Sequence, residues 1–415
     1  MLATRVSAWW RCGSQIQAPA SSGLVDSLAD REAREAVAKL QHGRLAWLDA
    51  LRGWAVLGVV MVHSGQAAHS TGIIEKISAA GQYGVQLFFL VSALTISMTY
   101  NSHVLEFGTS VRSQIAWFTK RFFRIAPLYY FAALIYPIEQ YGVFVLSHRR
   151  YGSIVHVTDI IANLLFIHTW VPSANNSVVP GGWSIGVEMF FYALVPFCWL
   201  LLPIRRRIKL LGVGAIAFLA ITELVCKMST GSYYVADNSY FYYWFPTEAP
   251  VLILGLMFYF LYGSRLHDSL SPRLSMSCFG GFLISLVVGL YVGIWKEIAP
   301  VAAPAILVVS FILLILSLHG WLKYIVVNKF AIFLGKISFS VYIFHFVVLD
   351  FIRVLFQVFR YVPSGPLTLL GVLVSTVVLT SGIGLLSKRI IEDPAIRYGH
   401  LLSRSIASKG AEVQS

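Results

Sequence analysis

Residues 47–63 read WLDALRGWAVLGVVMVH. From Gly53 to Val62 every residue is apolar or glycine, and the run is closed by Arg52 on one side and His63 on the other. With its flanks, such a stretch can cross a hydrocarbon core of about 30 Å as a helix rising about 1.5 Å per residue. Ionisable groups at that depth are expensive, so Asp49, Arg52 and His63 are candidates for function. Eleven residues bring a helix back almost to the same face, roughly 16 Å further along its axis. One stripe therefore holds a cation near one end and an imidazole near the other. A neutral imidazole can serve as a general base near pH 7, or simply bond to a neighbouring helix.

The rest of the chain continues this pattern. Of its 415 residues 57% are hydrophobic and only 12% charged, against about 25% charged in soluble domains. That excludes an ordinary cytosolic enzyme, and it also excludes a disordered chain, which needs low hydrophobicity. After the first span at 48–69, nine further apolar runs near 20 residues lie at 82–100, 126–146, 182–203, 208–226, 247–263, 276–295, 300–318, 337–356 and 367–387. The fold expected is all-α and polytopic, about ten transmembrane helices around a polar intramembrane cavity. The apolar stretch at 157–170 is too short to span and reads as a re-entrant or interfacial helix. Residues 1–43 read as a poorly structured cytoplasmic N-terminal extension carrying a short helix over DSLADREAREAVAKLQ (26–41), residues 44–395 as the membrane domain, and residues 396–415 as a cytoplasmic tail. No appended extracytoplasmic domain is expected after that tail.

The net charge of +13 would suggest nucleic acid in a soluble protein. In a membrane protein it is better explained by Lys and Arg concentrated in cytoplasmic loops, so no nucleic-acid partner is expected. The even-numbered connections and the odd-numbered ones hold thirteen and six basic residues. The even set comprises Arg112, Lys120, Arg121, Arg124, Arg205, Arg206, Arg207, Lys209, Arg265, Arg273, Lys323, Lys329 and Lys336; the odd set comprises Lys76, Arg149, Arg150, Lys227, Lys296 and Arg360. This bias places both termini in the cytoplasm, and the plasma (inner) membrane is the expected location. Cys12, Cys198, Cys226 and Cys278 form no CxxC or Cys/His spacing, so neither a metal site nor a disulfide framework is expected.

Polar residues recur inside the other spans. Ser184, Glu188 and Tyr192 stand at i, i+4 and i+8 in WSIGVEMFFYALVP and share a helix face. A buried carboxylate needs a partner, so Glu188 is expected to meet a His or Arg from another helix. Ser338, Tyr342 and His345 form a similar stripe in GKISFSVYIFHFVVLD. Gln86 and Ser92 sit among aromatics in YGVQLFFLVSA, where they either line a cavity or merely pack. Arg121 and Arg124, three apart in KRFFRIAP, share a face where a span ends. They suit an anionic ligand such as a phosphate, or act as an interfacial anchor.

Taken in order, these segments resemble the acyltransferase-3 family of integral membrane acyltransferases. LDALRGWAVLGVVMVH resembles its Arg-x10-His signature, and RFFRIAPLYY its Arg-x-x-Arg-(hydrophobic)-x-Pro segment. WSIGVEMFFYALVP resembles Trp-Ser-x-x-x-Glu-x-x-Phe-Tyr, and LGKISFSVYIFH resembles Gly-x-x-Ser-(aromatic)-Ser-x-Tyr-x-x-His. IEDP is similar to the closing Glu-x-Pro. YGVQLFFLVSA departs at two positions: Gln86 stands where the family often has an acidic residue, and Ala93 where Gly is usual.

The resemblance implies acyl transfer from a cytoplasmic acyl-coenzyme A, acetyl-coenzyme A in the first instance, to a hydroxyl of a carbohydrate or similar acceptor. It implies that Arg121 and Arg124 bind the coenzyme phosphates, that His63 is the catalytic base, and that Arg52 assists the donor. The stripe of about 16 Å is comparable to an extended thiol arm. Candidate oxyanion donors are Ser184, Tyr192, Tyr342 and Arg52, with Glu188 orienting an imidazole and His345 near the substrate. The partners implied are the bilayer, the acyl donor and the hydroxyl acceptor. The rival class is a transporter of a sugar or other small solute, since buried polar residues in a helical bundle also line transport paths. No paired broken helices in two matching halves stand out. Binding of acyl-coenzyme A with release of free coenzyme A separates an enzyme from a carrier.

Overall fold

The computed structural model describes residues 28–147, 155–203, 206–229, 240–263, 270–295, 301–318 and 320–408. Residues 1–27 with Cys12, and the expected loop cations Arg149, Arg150, Arg205, Arg265 and Lys296, lie outside these. Among the described residues the chain is helical, with no strand. The long apolar elements are α1 (Leu28–Ala67), α3 (Gly84–Phe107), α4 (Val111–Ser147), α6 (Trp183–Leu200), α7 (Arg207–Met228), α8 (Phe245–Tyr262), α9 (Pro272–Leu290), α10 (Ala303–Ser317), α13 (Ser338–Val358) and α14 (Gly365–Ser387). Short helices join them: α2 (Gly72–Ala79), α5 (Val157–Leu164), α11 (Gly320–Val326) and α12 (Lys329–Lys336). The last element is α15 (Asp393–Ser408).

Eight stretches are long and apolar enough to cross a membrane: 46–67, 72–107, 183–200, 207–228, 240–262, 272–295, 338–358 and 365–407. The chain is therefore an integral membrane protein. The two other expected spans are helical as well, but differ in kind. The segment 126–146 lies in α4, whose Pro127, Pro137, Glu139 and Gln140 dilute its apolar character. The segment 300–318 corresponds to α10, only 15 residues long. The apolar stretch at 157–170 resolves into the eight-residue α5 and a 3₁₀ turn at His168–Trp170.

Helix ends follow local chemistry. Ser271 caps α9, its hydroxyl accepting from the Leu274 N–H at 3.4 Å, with Pro272 at the first position, where a missing N–H costs nothing. Asn328 caps α12 in the same way, accepting from Ala331 N–H at 2.9 Å. α3 stops at Gly108, which adopts a left-handed backbone.

Close packing depends on missing side chains at two crossings. A Cβ on Gly335 of α12 would lie 1.8 Å from the Asp49 carbonyl oxygen of α1. One on Gly81 would lie 2.1 Å from the Gly58 carbonyl oxygen. Small residues of this kind let membrane helices approach backbone to backbone. These contacts hold α1 against the chain just before α3 and just before α13, the helices whose polar faces build the site.

Candidate functional site

Three cavities follow one another along α1. The first, of about 180 Å³, is lined by Arg52 together with Arg121, Arg124, Lys336 and Lys388, against two carboxylates, Glu188 and Glu392. Arg121, Arg124 and Lys336 come from connections that the charge bias puts on one side, and Lys388 comes just after the last span. The second cavity, of about 60 Å³, is lined by Val59, His63 and Gln66 of α1. The third, of about 580 Å³, begins at Gln66 and runs past His69. Val85 and Tyr342 line both the first and the second, so these two adjoin.

In the first cavity the two buried guanidinium groups each donate to a threonine hydroxyl, while Lys388 pairs with Asp393 at 2.8 Å. Arg52 donates from Nη2 to Thr95 Oγ1 at 2.9 Å and lies 3.5 Å from Asp49 one turn back. Thr95 in turn donates to the Val91 carbonyl at 2.7 Å, which fixes its lone pairs toward Arg52. Arg121, 9% exposed, donates to Thr99 Oγ1, and its guanidinium lies 5.8 Å from the Trp117 ring. Arg124 is exposed and, among the described residues, makes no hydrogen bond or ion pair. A cavity with this excess of donors and positive charge suits a polyanion.

Glu188 corrects an expectation. Its Oε1 accepts from Ser92 Oγ at 2.6 Å and from Tyr192 OH, and among the described residues it forms no ion pair with a His or Arg. The reason is the direction of α6. Ser184 at its start bonds to Tyr342, and each turn carries the next polar residue away from His63 and toward Arg121. Glu188 therefore lies in the basic cavity, not beside an imidazole.

The imidazoles pair with each other instead. The rings of His63 and His345 are 5.2 Å apart, and Phe346 packs against both, at 4.4 Å and 4.1 Å. His63 Nδ1 lies 2.9 Å from Gln66 Oε1, so Nδ1 carries the proton and Nε2 the lone pair. His345 is fully buried, and its Nδ1 lies 2.6 Å from the Tyr342 carbonyl. A carbonyl only accepts, so here too the proton sits on Nδ1. Nε2 of His345 is a buried lone pair with no hydrogen-bond partner among the described residues. Tyr342 OH donates to the Gly181 carbonyl at 2.9 Å and meets Ser184 Oγ at 2.7 Å. It thus pins the start of α6 to α13 at the border between the two cavities.

Nine of the polar residues singled out from sequence, Arg52, Ser92, Arg121, Arg124, Ser184, Glu188, Tyr192, Ser338 and Tyr342, share the basic cavity. His63 and His345 stand beyond Tyr342. Sequence reasoning passed over Lys336 by counting it as an orientation charge and did not single out Lys388, although each sits within two residues of an apolar run. It passed over Gln66, whose signal was its place three residues after His63. It also missed Glu248 of α8, which is fully buried and accepts from the Gln86 amide at 3.0 and 3.3 Å. An amide at position 86 can donate to that carboxylate, where an acidic residue would face it with like charge. Among the described residues no three His, Cys, Asp or Glu side chains cluster as a metal-ligand set.

A family model described as an acyltransferase domain of the acyltransferase-3 type matches residues 45–385. The chain is 24% identical over 326 residues to a protein of Staphylococcus aureus strain COL named "Putative O-acetyltransferase", covering 74% of this chain and 51% of that one. It is 22% identical over 375 residues to "O-acetyltransferase OatA" of Staphylococcus aureus strain NCTC 8325, covering 86% of this chain and 58% of the relative. The chain thus spans a little over half the length of the curated relatives it matches. No solved structure matches. The matched region takes in the helices that carry both the basic cavity and the paired imidazoles, and the chain belongs to the acyltransferase-3 family.

Proposed function

We propose that this protein is a membrane O-acyltransferase that moves an acyl group from acyl-coenzyme A to a hydroxyl of a carbohydrate or similar acceptor. The observation that carries the reading is the order of groups along one helix. A cation-rich cavity at Arg52 adjoins an imidazole cavity at His63 across a single tyrosine, Tyr342. The names of the relatives favour acetyl as the group transferred.

Coenzyme A presents a pyrophosphate and a ribose phosphate, and Arg121 and Arg124 are the forks suited to them, with Lys336 and Lys388 adding charge. The loop-charge bias supports a cytoplasmic opening for this cavity, cytoplasmic termini and an inner-membrane location. Arg52 assists the donor between the phosphates and the thioester. His63 Nε2, freed by the bond from Nδ1 to Gln66, takes the proton of the acceptor hydroxyl as its oxygen attacks the thioester carbonyl. The tetrahedral oxyanion is stabilised at the border position by Tyr342 OH once it swings off the Gly181 carbonyl, with Ser184 beside it. Collapse breaks the C–S bond, and the leaving coenzyme thiolate takes the acceptor's proton from His63, which returns the imidazole to its neutral form. The open lone pair of His345 Nε2 accepts from the acceptor or an adjoining hydroxyl. Glu188 holds Ser92 and Tyr192 and balances the guanidinium charges, which places it in donor positioning.

The test is His63→Ala in purified protein reconstituted in lipid vesicles with acetyl-coenzyme A and an oligosaccharide acceptor. Acylation should fall by about 10²–10⁴-fold, the usual worth of a general base, while insertion and melting behaviour stay intact. A correctly inserted variant with undiminished acylation refutes the mechanism.

A further inference from the structure

We infer that the third cavity is an acceptor chamber built for an anionic glycan, a reading that rests on the proposed acyl transfer at His63. The chamber is the largest of the three, at about 580 Å³. It lies at the end of α1 opposite Arg52 and shares Gln66 with the imidazole cavity. Gln66 is also the residue bonded to His63. A molecule held in this chamber therefore abuts the one side chain that fixes the protonation of the base.

Its lining is cationic. Arg353, Arg360 and His69 contribute to it, and no carboxylate is among its lining residues. Arg353 is engaged outside the lining with Asp350, its Nη1 2.5 Å from Oδ1, which leaves Arg360 as the unanswered guanidinium. The Arg360 side chain is exposed and has no hydrogen-bond or ion-pair partner among the described residues. His69 and Arg360 occupy equivalent positions, the residue after the last turn of α1 and of α13, with φ of 48° and 50°. That left-handed backbone favours glycine or asparagine. Two helices that each carry one of the paired histidines thus end in a basic residue where a glycine would be easier.

The chamber also offers aromatic surface. Phe356 and Tyr361 line it, their rings 5.1 Å apart, and Tyr361 OH is held 2.8 Å from Thr368 Oγ1. An aromatic face beside a free guanidinium fork fits a sugar ring that bears a carboxylate or a phosphate. A neutral sugar would leave the Arg360 fork unanswered. A sugar lying on Tyr361 with its anion on Arg360 would extend another ring toward Gln66 and His63.

Direct binding tests this without any acyl donor, so its failure is distinguishable from failure of the transfer reaction. The full chain in lipid nanodiscs is titrated by calorimetry with tetragalacturonate, with its carboxyl-reduced neutral tetrasaccharide, and with glucose 6-phosphate. At least one anionic probe should bind at low salt and weaken steeply as salt rises, and the reduced tetrasaccharide should bind roughly tenfold or more weakly. Arg360→Ala should lower the affinity for the anion by a similar factor, and Arg360→Lys should restore part of it. Preference for the uronate or for the phosphate identifies the anion. Equal binding of the neutral and charged tetrasaccharides, no binding of either anion, or an Arg360→Ala protein with unchanged affinity each overturns the inference.

Discussion

Arg121 and Arg124 line one cavity but differ in setting, and that difference yields a graded expectation. Arg121 is nearly buried, bonded to Thr99 and stacked on Trp117. A hydrogen bond from a buried cation to a phosphate contributes about 1.5–3 kcal/mol, so Arg121→Ala should raise the apparent KM for acetyl-coenzyme A about 10- to 150-fold. Arg124 is exposed, where an ion pair is worth at most about 1 kcal/mol. Arg124→Ala should therefore raise KM no more than about fivefold. The assay is initial-rate kinetics in reconstituted vesicles, with acetyl-coenzyme A and, in parallel, acetyl-pantetheine, which keeps the thioester and lacks the phosphates. The Arg121 effect should vanish with the truncated donor. Melting curves check that losing the contact with Trp117 has not unfolded the protein. An equal loss with both donors, an equal rise in acceptor KM, or a larger effect at Arg124 than at Arg121 refutes phosphate binding here.

Two further expectations follow from the packing. Gln66→Leu removes a bond worth about 1–1.5 kcal/mol that fixes the His63 tautomer, so kcat should drop about tenfold with donor KM unchanged; a matching rise in donor KM would contradict the assignment. Gly335→Ala drives a methyl group to within 1.8 Å of the Asp49 carbonyl oxygen. Overpacking of this kind costs about 1–3 kcal/mol, and a lowered melting temperature in detergent should reveal it, whereas wild-type stability would mean that α1 and α12 can separate freely.

Membrane helices are legible in sequence because lipid forces each to satisfy its own backbone hydrogen bonds and to face the solvent with apolar groups. The run from Gly53 to Val62 is readable for that reason, and so are the stripes at Ser184, Glu188, Tyr192 and at Ser338, Tyr342, His345. Helical spacing places those residues on one face whatever the neighbours are. The family segments in α1, α4 and α6 were readable too, since each lies within one helix, whereas LGKISFSVYIFH runs from the end of α12 into α13. Spacing within a helix carries no information about what stands opposite. It could not show that Glu188 meets Ser92 and Tyr192 instead of an imidazole, or that Gln86 faces Glu248.

The segment α4 illustrates the same limit from the other side. Its two prolines and the Glu139-Gln140 pair weaken its reading as a span, yet it forms one helix, because tertiary contacts with α13 and α15 support it. Local chemistry along the chain, then, determined the helical class, the order of the helices and the identity of the costly polar groups. Tertiary structure alone decided that Arg52 and His63, on one stripe of one helix, open into different cavities with Tyr342 between them. That division depends on the angle and depth at which α3, α6 and α13 cross α1, and crossings are set by contacts between residues far apart in sequence.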